Sequence, residues 1–518
     1  MAVFLSLIPI IIIFVMLAFL KRPADISGIV GWLIILLIAV LYFKTALSVA
    51  LTSSLAGIIA SFPISLMVAT SLFQITYMER VGAISRLVVF LKSISTENKV
   101  VQIMIINVGF GTLMTALGAT PVSILPPIML ALGYSSFVAI ALPAIGYDAL
   151  CTYALLGIPV VIFTQFTGIT IDEAGAIFSR YMPVISSLIA FGMLYIVGRW
   201  RLVWRGIIPA LITGLTAGFT AIIMNIAHLT LLTGVGAGIT VILIMMLYLR
   251  LRGRKIYDTS NLTDKDNELK AKMPLWKAFV PWLFLVVFAV IVNTPGPVFN
   301  YLFKRISMAV NIIPIDKPIP IRLFWQAYWW VLISTLVSAP FYKGGIRDIF
   351  GCIPRWFKRA PRPVFSAGVF FAIAYVMNWS GYTSGWRFNG SEYNIVSVLA
   401  KNSASLFGHL YGAVAPFLGL LGGFISGSET SSIAMLTKFH LETASHLWGN
   451  VYIRAGLLIA AASGIGGGLA SVISPAKLQN AAAAIDRIGE EAHVIKTVLW
   501  ISLAITLACA IMTLIWLL

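Results

Sequence analysis

Long apolar tracts separated by short polar segments run along the whole chain. A membrane-spanning helix needs about 20 apolar residues, and these tracts are long enough for roughly ten complete spans and several interrupted ones. The first tract, residues 1–20, lacks the basic start and the small-residue cleavage site of a signal peptide, so we interpret it as a retained helix. The pattern predicts an all-α polytopic membrane protein with about 12 to 14 membrane segments.

Two regions, residues 100–163 and residues 408–480, interrupt this helical pattern with glycine and proline. Each has the same order: an apolar helix, an early break, a half-helix, a further helix and a late break with proline. The early breaks are at 118–123 and 427–432, and the late breaks are at 157–159 and 473–475. Backbone groups freed by a broken helix find no water in the hydrocarbon core, so such breaks lie inside protein or line a cavity. Paired breaks are typical of secondary transporters, and we predict two inverted structural repeats with re-entrant hairpins and broken helices.

The amino-acid composition is typical of a membrane protein, and the positions of the basic residues explain the high net positive charge. Of the 518 residues, 60% are hydrophobic and 10% are charged, whereas a soluble protein carries about 25% charged residues. The net charge of +18 comes from basic residues grouped between the apolar tracts, and the segment 250–272 alone holds eleven charged residues. Such groups mark cytoplasmic loops rather than a nucleic-acid surface, and placing them inside the cell puts the N-terminus outside.

The two early breaks are rich in hydroxyl side chains. Half-helix N-termini carry about half a positive charge and expose backbone N–H groups, a setting that suits a small carboxylate substrate. The alternative is that these small residues only let helices approach closely. Lys477, directly after the late break, is a candidate partner for a substrate carboxylate. The other candidates for substrate binding are Thr115, Thr120, Ser123, Ser426, Ser428, Thr430, Ser431 and Ser432.

Two acidic residues lie at the expected membrane depth, Glu429 in the second early break and Asp148 in the apolar tract 100–170. An ionisable side chain within a membrane segment marks a functional site by default. Burial disfavours the charged form of a carboxyl, so we predict proton coupling through Glu429 and a proton or sodium site at Asp148. The alternatives are a structural ion pair of Glu429 with Lys438 or Lys477, and a structural hydrogen bond for Asp148.

The sequence contains no motif that indicates an enzyme or a bound cofactor. Cys151, Cys352 and Cys509 are widely separated, and no histidine lies at metal-ligand spacing, so we predict neither a disulfide nor a metal site. The chain has no phosphate-binding loop, no nucleophile elbow and no catalytic cluster. We therefore predict a transporter without a cofactor rather than an enzyme.

Six ordered motifs resemble the L-lactate permease family, and the resemblance covers nearly the whole chain. It is strongest from residue 363 to the C-terminus. The motifs are Gly157-Ile-Pro-Val, Gln165-Phe-Thr-Gly-Ile, Asn378-Trp-Ser-Gly, Phe417-Leu-Gly-Leu-Leu-Gly, Gly427-Ser-Glu-Thr-Ser-Ser and Ile473-Ser-Pro. Each motif is weak alone, but six in the same order are fairly specific together.

This resemblance implies a bacterial or archaeal plasma-membrane symporter that carries lactate, and often glycolate, with a proton. It also implies a fold in which a transport domain, built on re-entrant hairpins, moves against a scaffold. On that basis residues 1–99 are N-terminal scaffold helices, 100–198 a first transport half, 199–362 linking helices with a cytoplasmic loop and a second scaffold half, and 363–518 a second transport half.

The chain departs from the family pattern at both early breaks. The family usually has an aspartate in the second break, where this chain has Glu429. In the first, the family typically has a glutamate and a glycine-rich run before Pro-Val, whereas residues 112–123 contain no acid. Asp148 is a candidate to supply that missing charge.

We predict proton-coupled symport of a small 2-hydroxy monocarboxylate, lactate or glycolate, at a site between residues 115–123 and residues 426–432. The alternatives are a sodium-coupled or exchange transporter of another organic anion, an anion channel and, least supported, a membrane enzyme. The expected partners are the carboxylate, a coupling proton or sodium ion and the lipid bilayer, with no nucleic acid. A homo-oligomer is left open.

Overall fold

Helices form nearly all of the regular structure of this protein. The structure is a computed structural model that describes residues 1–518 apart from 21, 95–97, 261, 295, 450–452, 488 and 518. The two strands within the described part, β1 (Met308–Val310) and β2 (Ile319–Ile321), pair antiparallel with Met308 opposite Ile321. They form a small hairpin in the proline-rich segment between two apolar helices.

Five helices precede the first interrupted region, and that region then begins with a helix of mixed α and π geometry. The five are α1 (Ala2–Ala18), α2 (Ala24–Leu41), α3 (Leu47–Ala60), α4 (Phe62–Arg80) and α5 (Ala83–Lys92). The region contains α6 (Lys99–Ile103), a π-helical stretch (Met104–Phe110), α7 (Gly111–Ala116), α8 (Pro121–Ala131), α9 (Ser136–Gly146), a 3₁₀ segment (Tyr147–Tyr153) and α10 (Ala154–Thr167).

The middle of the chain is a series of helices joined by short turns and the hairpin. It contains α11 (Ile171–Ser179), α12 (Met182–Arg205), α13 (Ile207–Ile226), a 3₁₀ turn (Thr230–Leu232), α14 (Thr233–Leu251), α15 (Asp264–Lys272), α16 (Leu275–Asn293), α17 (Pro297–Asn300), a π-helical turn (Tyr301–Arg305), α18 (Ala327–Ser338), a 3₁₀ turn (Ala339–Phe341) and α19 (Gly345–Arg359).

The last part of the chain holds the second interrupted region and the C-terminal helix. Its elements are α20 (Pro361–Asn378), a 3₁₀ turn (Ser391–Tyr393), α21 (Ile395–Phe407), a 3₁₀ turn (Gly408–Leu410), α22 (Tyr411–Ser426), α23 (Glu429–Trp448), α24 (Ile453–Leu469), a 3₁₀ turn (Ser471–Ile473), α25 (Pro475–Ala483) and α26 (Glu491–Leu517).

Nine helical stretches in the described part are long and apolar enough to cross a membrane, or up to eleven when each of two bent helix pairs is taken as one span. The bent pairs are α3 with α4, at 45°, and α19 with α20, at 49°. Shorter apolar helices, among them α8 and α24, accompany these spans. The prediction of an all-α polytopic membrane protein is confirmed, whereas the relation of its halves as inverted repeats stays a prediction.

The polar segment 250–272 contains a short helix, α15, although it has no apolar periodicity. The Thr263 hydroxyl accepts from the backbone N–H of Asp266, and the Asp266 carboxylate accepts from the backbone N–H of Thr263. This capping box satisfies N–H groups that the first helical turn leaves unpaired. The Lys92 ammonium also lies 3.0 Å from the Asp266 carboxylate, so the segment is tied to α5.

The two interrupted regions interlock. Helix α10 of the first region packs along α23 of the second, and α25 of the second region packs on α8 and α9 of the first. Helix α24 also contacts the 3₁₀ segment 147–153. Breaks that are far apart in sequence therefore lie beside each other in the structure.

The N-terminal helices α1 and α2 share a separate core with α20, α21 and α22. The division of the chain into scaffold and transport parts stays a prediction.

Helices α22 and α24 approach each other closely because both present glycine at their contact. A Cβ atom added at Gly419 would overlap the carbonyl oxygen of Ser463, and one added at Gly423 would overlap that of Gly467. Gly466 of α24 lies in the same way against the carbonyl of Pro416 on α22. Lipid tails are as apolar as leucine, so membrane helices associate through such close packing.

We expect Gly419→Ala to lower the free energy of unfolding by about 1–3 kcal/mol, because the added methyl group overpacks a backbone-to-backbone contact. Gly368→Ala on α20 is the matched control, since a Cβ atom there meets no atom closer than 3.7 Å. Thermal unfolding of the two purified variants in detergent checks the prediction. Equal melting temperatures for the two would contradict it.

Candidate functional site

The second early break lies at Gly427 and Ser428, inside the stretch predicted from the sequence. Gly427 has a φ of 67°, in the left-handed region that glycine adopts without strain. Ser428 is extended, and its hydroxyl accepts from the backbone N–H of Ser431 at 3.4 Å. Helix α23 therefore begins at Glu429, which puts Glu429 and the three hydroxyl residues after it in the first helical turn.

The Glu429 side chain is buried at the contact between the two interrupted regions. The residue is 3% exposed, and its Oε1 accepts a hydrogen bond from the Thr152 hydroxyl at 2.6 Å. Its second oxygen, Oε2, makes no hydrogen bond with any described residue. A buried polar atom without a partner costs about 1–3 kcal/mol, so this half-satisfied carboxyl calls for a functional explanation.

Glycine in α24 makes room for this carboxyl. A Cβ atom at Gly468 would lie 2.5 Å from Glu429 Oε2 and 3.3 Å from the Cβ of Cys151. The carboxyl consequently packs against the backbone of α24 with the Cys151 thiol beside it. Lys477, at the start of α25, is half-buried and lies within electrostatic range of both Glu429 and Cys151.

Thr152 belongs to a strained break in the first region. Leu150 has non-helical dihedral angles, and Leu155, Leu156 and Gly157 all have positive φ angles, of 54°, 54° and 73°. Each non-glycine residue in this conformation costs about 1–2 kcal/mol, and such strain clusters at functional sites. The predicted late break at Gly157 is present, but it starts several residues earlier.

Asp148 lies in the same 3₁₀ segment as Thr152 and is 5% exposed. It is also within electrostatic range of Cys151. The structure thus brings three of the predicted site residues, Asp148, Glu429 and Lys477, to the neighbourhood of one cysteine. The group therefore holds two carboxyl groups and one lysine. Binding of a proton or of a small anion would change its net charge.

The hydroxyls of the first early break are in a different environment. The Thr115 hydroxyl donates to the carbonyl of Gly111 within α7 at 2.8 Å. Thr120 is the N-cap of α8 without a side-chain capping bond, and both Thr120 and Ser123 are exposed. Gly118 faces Ser71 of α4 and Leu155. The neighbour of the second early break is therefore the late break of the first region, as the bond between Thr152 and Glu429 shows.

Several hydroxyls of the second early break are engaged within their own region. The Ser426 hydroxyl donates to the carbonyl of Gly422 at 2.8 Å, and the Ser432 hydroxyl donates to the carbonyl of Gly419 on α22 at 3.1 Å. Thr430 and Ser431 are buried in the first turn of α23. All of the predicted residues remain candidates, and Ser428 and Thr430 are the direct neighbours of Glu429 in the chain.

Sequence reasoning missed Thr152, Cys151 and Gly468. A signal existed for the first two, because both follow Asp148 within four residues of the same apolar tract. It also missed the bonding of His440, whose ring nitrogens lie 2.7 Å from the Tyr411 hydroxyl and 2.7 Å from the Ser463 hydroxyl. These partners lie on α22 and α24, so His440 ties three helices together.

Interlocked broken helices with a buried acid at their contact, in a multi-pass helical membrane protein, define the class as a membrane transporter. The family model for L-lactate permease matches residues 2–518. The chain belongs to the L-lactate permease family. The matched relatives are permeases rather than enzymes.

Three relatives of this chain are named as permeases for L-lactate or for glycolate. The L-lactate permease of Streptococcus iniae is 22% identical over 82% of this chain and 86% of its own length. The glycolate permease GlcA of Escherichia coli is 24% identical over 81% of this chain and 80% of its own length. The L-lactate permease of Escherichia coli is 22% identical over 98% of this chain and 94% of its own length.

One solved structure aligns with this chain over most of its length. The YdaH transporter of Alcanivorax borkumensis, described as having an unusual topology, aligns with a TM-score of 0.44 and 12% identity over 90% of this chain and 88% of that one.

We expect Thr152→Val to destabilise the protein by about 1–3 kcal/mol, because the buried Glu429 carboxyl then loses the hydrogen bond from the Thr152 hydroxyl. Thr152→Ser keeps the hydroxyl and serves as the control, with a smaller loss. Thermal unfolding in detergent at neutral pH measures both. A valine variant as stable as the serine variant would show that the bond contributes nothing.

Proposed function

We propose that this protein is a secondary transporter that carries a small 2-hydroxy monocarboxylate, lactate or glycolate, together with a proton across the plasma membrane. The substrate class is suggested by the relatives, which are named for L-lactate and for glycolate. Both compounds combine one carboxylate with a neighbouring hydroxyl group. The observation that carries the coupling proposal is the buried Glu429 carboxyl with one oxygen left unbonded.

Charge balance gives the reason for a proton. A monocarboxylate that crosses together with one proton moves without net charge, and an ionised carboxyl buried in low dielectric is costly. An ionised carboxyl only accepts hydrogen bonds, whereas a protonated one also donates. Glu429 in its two forms would therefore present different hydrogen-bonding groups at the helix break. Asp148, in the same neighbourhood, is the second candidate for the proton.

Substrate binding is proposed at the start of α23. The first turn of a helix favours anions through its free N–H groups, and Thr430 and Ser431 lie in that turn. The Lys477 ammonium, within electrostatic range of Glu429, would attract the substrate carboxylate when Glu429 is protonated. Release of the proton would restore the Glu429 charge and weaken the hold of Lys477 on the substrate. Binding and protonation would thus favour each other.

The remaining assignments complete this proposal. Thr115, Thr120 and Ser123 would line a path on the side of the first region, and the N-terminus would lie outside the cell with the basic clusters in the cytoplasm. Residues 100–198 and 363–518 would form the moving part, with residues 1–99 and 199–362 as the scaffold.

Proteoliposomes with imposed ion gradients test the function directly. We would measure uptake of radiolabelled lactate, glycolate, pyruvate and dicarboxylates under a proton gradient, a sodium gradient, and neither. Proton-driven accumulation of lactate or glycolate is the expected result. Accumulation driven only by sodium, or only by a counter-substrate inside, would replace the proposal by a sodium-coupled or exchange mechanism.

We expect Glu429→Gln to abolish proton-driven accumulation while counterflow of labelled against unlabelled substrate continues, because glutamine keeps the shape of the side chain but cannot carry the proton. Asp148→Asn, assayed in parallel, identifies which acid couples. Glu442→Gln is the control, an acid on the same helix that is half-buried and lies away from this site. Proton-driven accumulation by Glu429→Gln at the wild-type level would remove Glu429 from the coupling mechanism.

A further inference from the structure

Helix α19 lies directly before the apolar helix α20 and meets it at a sharp bend. Pro361, the first residue of α20, has no backbone N–H and cannot continue the hydrogen-bond ladder of α19. The two helices are bent by 49° relative to each other. Helix α19 itself is amphipathic, and its sides carry different kinds of residue, which decide what each side contacts.

One side of α19 packs on α4. The Trp356 Nε1 donates to the carbonyl of Ala69 at 2.8 Å, and the Trp356 ring lies edge-on to the Phe73 ring with 5.7 Å between the centroids. Ile349 and Cys352, on the same side of the helix, are buried. These contacts fix α19 on α4 and determine which of its residues face away.

The ion pairs of α19 lie at the edge of this contact. The Arg80 Nε of α4 is 3.0 Å from the Asp348 carboxylate. The Arg355 and Arg359 guanidinium groups are 3.3 Å and 2.9 Å from the Glu79 carboxylate of α4. Each of these charged groups therefore has a partner within the protein.

A stripe of large apolar residues runs along an exposed side of α19. Ile346, Phe350 and Phe357 are 66%, 66% and 62% exposed. Their spacing of four and seven residues places them on one line along the helix. Apolar residues that are grouped in this way on a surface mark a contact with a membrane or with another protein. We name these three residues the apolar stripe.

A basic stripe, formed by Arg347 and Lys358, runs beside the apolar stripe. Both residues are exposed, and each directly follows a residue of the apolar stripe in the chain. They are eleven residues apart, about three helical turns, so they also lie on one line. Neither pairs with a carboxylate among the described residues. The segment 343–362 holds six basic residues and one acid, so this side of the protein is strongly positive.

Two further parts of the chain bring positive charge to the same end of the protein. The Arg362 guanidinium, at the start of α20, lies 3.7 Å from the Asp25 carboxylate at the start of α2. Arg22, three residues before Asp25, is exposed. Arg80, at the end of α4, lies beside α19. Basic residues from three separate parts of the chain therefore meet where α19 lies.

We propose that the two stripes of α19 form a binding surface for anionic phospholipids, with the helix lying along the membrane surface. In this position the apolar stripe enters the acyl chains and the basic stripe contacts the phosphate groups, as in interfacial amphipathic helices. Anionic lipids fit because their charge is opposite to that of the basic stripe, and each basic residue near such a surface strengthens the attraction. The inference goes beyond the proposed function and does not depend on it.

Fluorescence quenching by brominated lipids tests this surface in the full-length protein. A maleimide fluorophore is attached to Phe357→Cys, and protein without this substitution shows the background, since the three native cysteines are buried. The protein is reconstituted into vesicles of phosphatidylcholine and phosphatidylglycerol in varied proportions, with bromine on the acyl chains of one lipid at a time. Bromine quenches on contact, so the two series give the relative affinity of the two lipids at α19. We expect quenching by both, with phosphatidylglycerol preferred.

Arg347→Gln combined with Lys358→Gln removes the basic stripe. We expect this change to lower the preference for phosphatidylglycerol by about fivefold or more, because one basic residue near an anionic surface contributes about that factor. Lys304→Gln combined with Arg305→Gln is the matched control and should keep the wild-type preference. These two residues are also an exposed basic pair, but they adjoin the hairpin segment, which packs at the other end of α20.

Three results would overturn the proposal. A fluorophore that neither lipid quenches would show that protein, such as a second copy of the chain, covers the apolar stripe. Equal quenching by the two lipids, or an unchanged preference without the basic stripe, would show contact with lipid but no recognition of its charge. Should Phe357→Cys fail to fold, Phe350→Cys on the same stripe gives the same readout, and Arg347→Gln alone replaces an unstable double variant. No transport is measured, so the proposed function stands or falls separately.

Discussion

The contact between the Glu429 carboxyl and the broken helix that carries Thr152 is the constraint on which the rest of the site depends. A carboxyl that is almost completely buried has to be compensated by hydrogen bonds, by a nearby cation or by a proton. Thr152 supplies one hydrogen bond and Lys477 a positive charge within electrostatic range. Because Thr152 belongs to the first interrupted region and Glu429 and Lys477 to the second, the hydrogen bond to the acid forms only when the two regions are interlocked.

Close helix packing holds this arrangement in place. Glycines at the contact of α22 with α24 bring the two backbones together, and Gly468 lets the carboxyl lie against α24. His440 adds hydrogen bonds to Tyr411 and Ser463, which link α22, α23 and α24. The helix that starts at Glu429 is therefore fixed relative to its neighbours. The strained residues Leu155 and Leu156, on the opposite side of the contact, belong to the other region, so any relative movement of the two regions would alter the surroundings of the acid.

Arg322 and Glu429 are two charged groups with different surroundings. Arg322 has no carboxylate partner in the described part of the chain and is held by the Phe303 ring and carbonyl. Glu429 has a carboxyl that is bonded through one oxygen only. The cation is thus held by an aromatic ring and a carbonyl, and the acid by a hydroxyl group.

The class of protein and the positions of the helix breaks could be predicted from local sequence. The length of an apolar tract decides whether it spans a membrane, and Gly427 and Pro475 interrupt helices through their own backbone properties. Glu429 was identifiable because an acid in an apolar tract stands out without reference to its neighbours. Short sequence motifs also indicated the family, and the match of the family model over residues 2–518 confirmed it.

The partners of those residues could not be predicted in the same way. Thr152 and Glu429 are 277 residues apart. The hydrophobic pattern along the chain does not indicate that α10 packs on α23. The sequence analysis predicted a site between the two early breaks. In the structure, the second early break lies beside the late break of the first region. By itself the sequence determined that this is a helical membrane protein with a buried acid at a broken helix. Only the tertiary structure decided what that acid and Arg322 touch, because such contacts depend on how side chains of distant helices fit together.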